Sequence, residues 1–322
     1  MSFSALLNSF QNMRALVVGD LMLDEYIFGK VTRISQEAPV MVVKQTSTRS
    51  VPGGAANVAS NMVALGAKTK IIGVLGTDAA GDTLASHLES WGIDQADLVR
   101  DSSRPTTRKT RVLANHSHQV LRIDHEDEVP ITGEVEKNVL QRVLVEIPTV
   151  DVVLISDYQK GAVTGHIIQE IIRAAKEHHV PVVANPKPKS LPFYRGASLV
   201  SLNQFEAGAA LNLGHAVSHE TADQSANRLR EELGVERILI TLGASGMAAA
   251  GETAFSVPAH KVDVYDEAGA GDTVIATVAL GVGAKQFGRT LLELAAQTAA
   301  SVVQKVGVAT PSEQDLKRIS SL

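Results

Sequence analysis

A glycine-rich turn near the carboxyl end of the chain carries the residue best suited to acid–base chemistry. It lies within residues 264–274, after a predicted strand over 254–264 and before an apolar, helix-like segment. Asp272 in this turn has two interpretations, a carboxylate that caps the helix or a general base beside an anion hole. The sparsely covered helix-start amides suit a phosphoryl group. The residues of this anion hole would be Gly269, Ala270 and Gly271.

A second glycine turn lies near the amino end, in residues 51–59. Its Pro-Gly-Gly sequence leads into a predicted helix over 57–65, which Gly66 would end. One interpretation is ordinary helix punctuation. The other is close approach of a polyhydroxylated ligand, with both polar atoms of the Asn57 amide bonded to its hydroxyls.

Two further turns follow predicted strands, where an open α/β sheet holds its ligands. One contains Asn203 and Glu206, which share a helix face at i and i+3. Alone, this pair predicts a capping box; beside glycine-rich anion turns, an amide and a carboxylate favour hydrated Mg²⁺ near phosphates. The other turn, residues 241–246, is also glycine-rich.

The elements that must position these residues alternate between strand and helix. A buried strand over 14–20 and the regular pattern after residue 126 predict a doubly wound, mostly parallel sheet, closed by two helices in 287–306. Strand-rich insertions at about 21–50 and 104–124 predict a small β-sheet lid within a single domain, residues 1–322. The acidic residues 124–128 are interpreted as a solvated linker.

Several other chemistries are disfavoured. The net charge of −5 gives no basic footprint for nucleic acid, and the absence of cysteine excludes disulfides and thiolate sites. There is no leader-like or membrane-spanning run, so we expect a cytoplasmic protein without a membrane partner. Neither a dinucleotide nor a Walker-type phosphate motif occurs. His116 and His118 are interpreted as a solvated hairpin tip rather than a metal site.

The chain resembles the ribokinase-like (PfkB-type) sugar kinases over nearly its whole length. The family motifs are PGGAAN at 52–57 and GAGDT at 269–273. Within that family it is most similar to the heptose phosphate kinases of lipopolysaccharide precursor synthesis. The segments that carry this closer similarity are GDLMLDEY at 19–26, RISQEAPV at 33–40, SDYQKGA at 156–162 and FYRGA at 193–197.

The resemblance implies ATP- and Mg²⁺-dependent phosphorylation of the anomeric hydroxyl of D-glycero-D-manno-heptose 7-phosphate, with Asp272 as the base. It assigns the sugar to Asp24, Gly53, Gly54 and Asn57. It assigns the nucleotide and its metal to Asn203, Glu206 (Mg²⁺ through water), Lys187, Thr241, Gly243 and Gly246. It also implies a possible K⁺ site at Asp266 and Gly307.

A sugar that already carries a phosphate needs cations at its far end. The first candidates are Lys109, Arg111 and Lys160, followed by Arg33 and Lys187. The competing interpretation of each is a solvated surface charge. An apolar lid face would be covered by the lid of a second copy, so we expect a homodimer.

The sequence departs from the family pattern at four positions. Ala268 replaces a threonine, Asn185 an aspartate, and Ser201 and Leu202 a Thr-Pro pair, which puts metal and cation use in question. The 322 residues contain no segment that resembles the nucleotidyltransferase domain fused to some heptose kinases, so if the protein works in that pathway we expect another chain to add the nucleotide. The alternatives are a kinase for another sugar or phosphosugar, and a catalytically weak relative that only binds nucleotide or sugar.

Overall fold

The computed structural model describes residues 2–114 and 118–322. Its helices are α1 (Phe3–Phe10), α2 (Ala55–Ala64), α3 (Ala79–Ser90), α4 (Gly133–Glu146), α5 (Gly165–Glu177), α6 (Gln204–Ala210), α7 (Ala222–Leu233), α8 (Ala270–Gly283), α9 (Arg289–Val302) and α10 (Glu313–Ser320). Its strands are β1 (Arg14–Gly19), β2 (Leu21–Ile34), β3 (Met41–Gly54), β4 (Lys68–Ile72), β5 (Val74–Leu75), β6 (Val99–Arg100), β7 (Thr107–Ala114), β8 (His118–His125), β9 (Val152–Ser156), β10 (Val182–Asn185), β11 (Leu199–Asn203), β12 (Ile238–Thr241), β13 (Met247–Ala250) and β14 (Ala254–Val257).

The main sheet is buried on both faces. Its strand order is β14-β13-β12-β11-β10-β9-β1-β4, parallel from β12 to β4 and antiparallel at the β13–β14 edge. Continuous apolar runs such as Val152–Ser156 form its centre, because helices cover both faces of a parallel sheet. One apolar core packs against α2, α8 and α9, and the other against α4, α5 and α7. The predicted doubly wound, mostly parallel sheet is confirmed.

The lid is a separate four-stranded sheet in the order β3-β2-β7-β8. β2 pairs in parallel with β7, and this register sets Asp24 beside Lys109 and Tyr26 beside Arg111. Paired residues and residues two apart share a face, so these four side chains lie on one side of the lid. The same rule puts Leu121 and Ile123, both about half exposed, on the opposite face.

The structure corrects three sequence-predicted boundaries. The first lid hairpin is longer than expected, since β2 and β3 pair from Leu21 with Gly54 to Ile34 with Met41. The strand predicted over 254–264 ends at Val257, because Pro258 has no amide hydrogen and β13 offers no further partner. The helix pair predicted in 287–306 is one helix, α9; the next, α10, begins at Glu313.

Two further predictions concern the histidines of the second lid hairpin and membrane-spanning segments. The tip of the second lid hairpin, Asn115 to Ser117 with His116, lies outside the described residues, while His118 is exposed on β8. Among the described residues, no helix combines the length and apolar character needed to cross a bilayer.

Candidate active site

Asp272 lies in the first turn of α8 and is buried, with 7% of its surface exposed. Its Oδ2 accepts a hydrogen bond from Asn57 Nδ2 at 2.7 Å, and its Oδ1 accepts one from the Tyr158 hydroxyl at 2.7 Å. The carboxylate therefore contacts side chains of two other segments, one at the start of α2 and one after β9. This geometry does not match a carboxylate that serves only to cap its own helix.

The environment of Asp272 gives it the proton affinity of a base that works near neutral pH. Burial raises its pKa to about 6, against the lowering effect of the hydrogen bonds from Asn57 and Tyr158. Asp24 adds to the rise, and Lys187 opposes it. A general base is most effective when its pKa lies near the working pH, so this shift suits proton abstraction from a hydroxyl.

A buried chain of amides fixes the side chain of Asn57. Its Oδ1 accepts a hydrogen bond from Asn61 Nδ2 at 3.1 Å, and Asn61 Oδ1 accepts one from Thr273 Oγ1 at 2.8 Å. Asn57 is thus tied to both Asp272 and Asn61. The amide that the sequence assigned to sugar hydroxyls donates to Asp272, and at most one of its N–H bonds points elsewhere.

Some backbone amides at the start of α8 have a hydrogen-bond partner, and others have none in the described residues. Ala270 donates its N–H to the Glu267 carbonyl at 3.2 Å, so this predicted anion-hole amide already has a partner. Within residues 2–114 and 118–322, the amides of Gly271 and Asp272 have none. Gly271 is exposed, and a Cβ there would meet no atom within 4 Å, so no side chain covers this turn. Gly269 forms the turn with φ of +83°.

The predicted capping box at the start of α6 is present. Asn203 Oδ1 accepts a hydrogen bond from the Glu206 amide, and Glu206 Oε2 accepts one from the Asn203 amide, both at 2.9 Å. Lys187 Nζ donates to the other oxygen, Oε1, at 2.6 Å. Each Glu206 oxygen therefore has one partner and retains lone pairs for a metal-bound water.

Tyr158 lies between Asp272 and the Glu206 carboxylate, and the sequence motifs did not single it out. Its ring lies 5.1 Å from Lys187 Nζ, the same ammonium that binds Glu206. Burial, followed by the nearby charge of Asp272, raises the pKa of Tyr158 well above its usual value. The phenol therefore stays protonated and donates a hydrogen bond to Asp272. The available signal was its position two residues after a buried parallel strand.

The turn after β12 contains two glycines with different surroundings: Gly243 faces open space, and Gly246 is closely packed. β12 ends at Thr241, and Gly243 follows with φ of +58°; a Cβ at Gly243 would meet no atom within 4 Å. Gly246 has φ of +99°, and a Cβ there would lie 2.1 Å from the Val257 carbonyl. Gly243 is thus free to approach a nucleotide, whereas Gly246 shapes the turn.

The residues predicted to bind the sugar meet where β2, β3 and β7 pair. Asp24 is buried and accepts a hydrogen bond from Arg111, whose guanidinium lies 5.5 Å from the Tyr26 ring centroid. A Cβ at Gly53 would lie 2.1 Å from Asp24 Oδ2, so only glycine admits this carboxylate. Gly54 starts α2 with φ of +55°.

The other two candidate cations are paired with the acidic stretch. Lys109 contacts Asp124 and Glu126, while Lys160 contacts Glu126 and Glu128. The interpretation of residues 124–128 as a solvated linker is therefore wrong for Glu126, which is 19% exposed and pairs with both lysines, and holds for Glu128, which is 67% exposed. Arg33, the weaker candidate, is exposed near the end of β2.

Asp20 organises the loop that carries Tyr158 and Lys160. It is 1% exposed, and its carboxylate accepts hydrogen bonds from the amides of Tyr158, Lys160 and Ala162 at 2.8 to 3.0 Å. Burial raises its pKa to about 6, although these amides oppose the rise. The sequence motifs contained Asp20 but gave it no role of its own.

The predicted monovalent-cation residues link two loops. Asp266 Oδ1 accepts a hydrogen bond from the Ala268 amide at 2.9 Å, and Oδ2 accepts one from the Gly307 amide at 3.0 Å. Asn185, which replaces the family aspartate, donates to the Ser201 carbonyl. In the described parts of the chain, no three His, Asp or Glu side chains cluster closely enough to hold a metal by themselves.

Comparison with known proteins identifies the family. The profile of the pfkB family of carbohydrate kinases matches residues 13–315, and the chain belongs to that family. The predicted enzyme class, an ATP-dependent carbohydrate kinase, is confirmed by this membership.

Curated relatives and solved structures agree. The chain is 41% identical over 310 residues to the bifunctional protein HldE of Desulfatibacillum aliphaticivorans, covering 96% of this chain and 63% of that one. It is 38% identical to HldE of Nitrobacter hamburgensis, covering 98% and 65%. The chain thus spans somewhat less than two thirds of the length of these relatives.

The fold resembles Arabidopsis thaliana ribokinase complexed with ribose and ATP, with a TM-score of 0.74, 19% identity and coverage of 97% of this chain and 100% of that one. It also resembles Escherichia coli phosphofructokinase-2 in complex with potassium, with a TM-score of 0.78, 18% identity and coverage of 97% and 98%. At these identities the two structures establish the ribokinase-like fold alone.

Proposed function

We propose that the chain transfers the γ-phosphoryl group of ATP to the anomeric hydroxyl of D-glycero-D-manno-heptose 7-phosphate and forms the 1,7-bisphosphate, a step in lipopolysaccharide precursor synthesis. The observation that carries the chemistry is a buried Asp272 with raised pKa, one residue after Gly271, whose amide has no hydrogen-bond partner in the described residues. The resemblance to heptose phosphate kinases and the similarity to HldE chains support the choice of sugar.

In this mechanism the Asp272 carboxylate takes the proton of the anomeric hydroxyl as the sugar oxygen bonds to the γ-phosphorus. The bond from that phosphorus to the β–γ bridging oxygen breaks, and ADP leaves. The amides of Gly271 and Asp272 would donate to the transferring group, whose charge spreads over its outer oxygens. Asn57 and Tyr158 hold the carboxylate in place during the transfer.

The nucleotide would lie along the carboxyl ends of β11 and β12, beside Thr241, Gly243 and the turn at Gly246. Lys187 and Glu206 would meet its phosphates, with Asn203 fixing the Glu206 side chain. Bound Mg²⁺ supplies neutralisation of the phosphate oxygens. The free lone pairs of Glu206 fit a water-bound ion, because Mg²⁺ usually keeps several waters.

The sugar would lie between the lid and α8. Asp24, held by Arg111 and admitted by Gly53, is available to sugar hydroxyls, and Gly54 brings the start of α2 close to them. Lys109 and Lys160 would meet the phosphate at the far end. A K⁺ ion would use remaining lone pairs of Asp266 together with the loop at Gly307.

The proposal includes assembly and location. A homodimer would cover the exposed face of the lid that carries Leu121 and Ile123. A cytoplasmic location fits a kinase that uses ATP.

The first experiment is coupled ADP release with Mg-ATP against heptose 7-phosphate, fructose 6-phosphate, ribose and fructose. Turnover with the heptose phosphate alone supports the proposal. Turnover only with an unphosphorylated sugar would contradict the proposed phosphate-binding roles of Lys109 and Lys160 and would remain consistent with Asp272 as the base. No turnover with any sugar, together with retained ATP binding, would favour a protein that senses nucleotide or sugar.

Asp272→Asn separates an enzyme from such a sensor. An enzyme should lose turnover by roughly 10²–10⁴-fold, the usual contribution of a general base, and keep its affinity for sugar and ATP in calorimetry. If Asp272→Asn turned over as fast as the wild type, Asp272 would not be the base.

A further inference from the structure

Glu126 joins the lid to the core through two lysines. Its Oε2 accepts a hydrogen bond from Lys109 Nζ of β7 at 3.0 Å, and its Oε1 accepts one from Lys160 Nζ at 2.7 Å. The three side chains are only 13 to 19% exposed. The pKa of Glu126 is lowered, because these two ammonium groups outweigh the opposing effect of burial. Glu126 is therefore an ionised bridge between the two lysines.

This bridge lies beside the proposed sugar site. Lys109 is the register partner of Asp24 on the same lid face. Lys160 lies two residues after Tyr158, which contacts Asp272, and its amide is held by Asp20. The bridge thus connects the strand next to the sugar carboxylate with the loop next to the base.

The charges around the bridge cancel. The ion pairs join three cations with three carboxylates, so the group is neutral as it stands. The cations are Lys109, Lys160 and Arg122, and the carboxylates are Asp124, Glu126 and Glu128. A phosphate dianion entering this group would meet no net positive charge unless a carboxylate moved away. Of the described carboxylates, Glu126 is the one that contacts both lysines.

We propose that Glu126 occupies the place of the substrate phosphate, and that a phosphosugar binds by displacing it from Lys109 and Lys160. This inference rests on the proposed function, because it requires that these lysines receive the phosphate. Phosphosugar affinity is then the difference between lysine–phosphate and lysine–glutamate interactions. A neutral sugar leaves the bridge intact, so Glu126 sets specificity as well as affinity.

The structure supplies a matched pair of variants. Glu126→Gln keeps the side-chain shape and removes the charge from the bridge. Glu128→Gln removes a charge from the same lysine, Lys160, but Glu128 is 67% exposed and its pairing is screened by solvent. If the substrate phosphate displaces Glu126, Glu126→Gln should lower the KM for heptose 7-phosphate about three- to tenfold and leave the KM for ATP unchanged. Glu128→Gln should change the KM for heptose 7-phosphate by less than about twofold.

Calorimetric titration of the full chain with inorganic phosphate gives a readout independent of turnover. Glu126→Gln should tighten phosphate binding by the same factor as it lowers KM, and the difference should shrink at high salt. Thermal unfolding of each variant checks that the fold is retained. A higher KM or weaker phosphate binding in Glu126→Gln would show that Glu126 positions the lysines, and an unchanged value would show no competition; either result overturns the inference.

Lys160→Ala and Lys109→Ala distinguish this failure from failure of the phosphate subsite. If both variants raise the KM for the phosphosugar while Glu126→Gln does not lower it, the two lysines bind the phosphate but Glu126 does not compete with it. If neither lysine variant changes that KM, the phosphate lies elsewhere and the proposed subsite fails with the exchange.

Discussion

The Tyr158 hydroxyl donates a 2.7 Å hydrogen bond to Oδ1 of Asp272, which stands 114 residues away in the sequence. The tyrosine ring also lies against Lys187, which binds Glu206. One side chain thus connects the proposed base with the group proposed to meet the nucleotide phosphates. In the proposed mechanism Tyr158 is a positioning residue, because it contacts Asp272 and would not contact the substrate.

Removal of the Tyr158 hydroxyl should make Asp272 harder to ionise. The hydrogen bond lowers a pKa that burial has raised to about 6, so Tyr158→Phe should raise it further, by about one unit. Asp24 and Lys187, the other charged groups acting on Asp272, are unchanged by this variant. The acid limb of the kcat/KM profile should move to higher pH, measured by ADP release across the neutral range and on either side of it.

Tyr194→Phe is the control for that experiment. Tyr194 is fully buried, whereas Tyr158 is partly buried, and the Tyr194 hydroxyl donates to Asp157 at 3.1 Å and not to Asp272. Its loss should change stability and leave the acid limb in place. If Tyr158→Phe also leaves the limb in place, Tyr158 does not influence the base.

Asp272→Asn should stabilise the fold at alkaline pH. A pKa raised from 3.8 to about 6 means that the folded state binds the proton more tightly than the unfolded state. Wild-type stability from this group is therefore present below about pH 4 and lost as pH rises toward 6. The shift corresponds to up to about 3 kcal/mol, a loss that the uncharged amide of the variant avoids.

Urea unfolding of wild type and Asp272→Asn at about pH 4.5 and about pH 8 measures this difference. The stability gain of the variant should be larger at the higher pH. Asp20, whose pKa is also raised to about 6, titrates in both proteins and cancels. A gain independent of pH would show that Asp272 is not destabilised by its charge.

Gly53→Ala should damage the sugar site selectively. The new Cβ would lie 2.1 Å from Asp24 Oδ2, so the carboxylate must move away from its position beside Arg111. We expect the KM for sugar to rise at least about tenfold and stability to fall by about 1–3 kcal/mol, the usual cost of overpacking. The KM for ATP should stay within about twofold.

Gly288→Ala is the matched control, since a Cβ there meets no atom within 4 Å. It should leave both KM values unchanged. Steady-state kinetics and thermal unfolding of the two variants give the comparison. An unchanged sugar KM in Gly53→Ala would remove Asp24 from the sugar site.

The proposed homodimer depends on the apolar face of the lid. Leu121 and Ile123 are 53% and 52% exposed on β8, on the face away from Asp24. Burial of this face in a second copy is favourable, and two lysines there would oppose it. The Leu121→Lys/Ile123→Lys variant should sediment as a monomer when the wild type sediments as a dimer.

Val145→Lys tests whether the effect is confined to the lid. Val145 is 65% exposed on α4, outside the lid sheet, and its substitution should leave the assembly unchanged. A monomeric wild type at micromolar concentration would contradict the dimer, and a dimer in the double-lysine variant would put its interface elsewhere.

Local sequence determined the elements and the turns that carry chemistry. Apolar runs and strand–helix alternation predicted the mostly parallel sheet, and the i, i+3 spacing of Asn203 and Glu206 predicted the capping box that the structure contains. The glycines before Asp272 predicted a helix start with free amides. These features arise within a few residues of one another, so their signals are local.

Tertiary structure decided which of these groups meet. Asn57 and Asp272 are 215 residues apart, and their contact depends on how α2 and α8 pack on the same face of the sheet. The pairing of Lys109 and Lys160 with Glu126 depends on how the lid meets the loop after β9. Charge alone made residues 124–128 resemble a solvated linker. Only the fold showed the cations beside them, because strand register and sheet order are set by long-range packing.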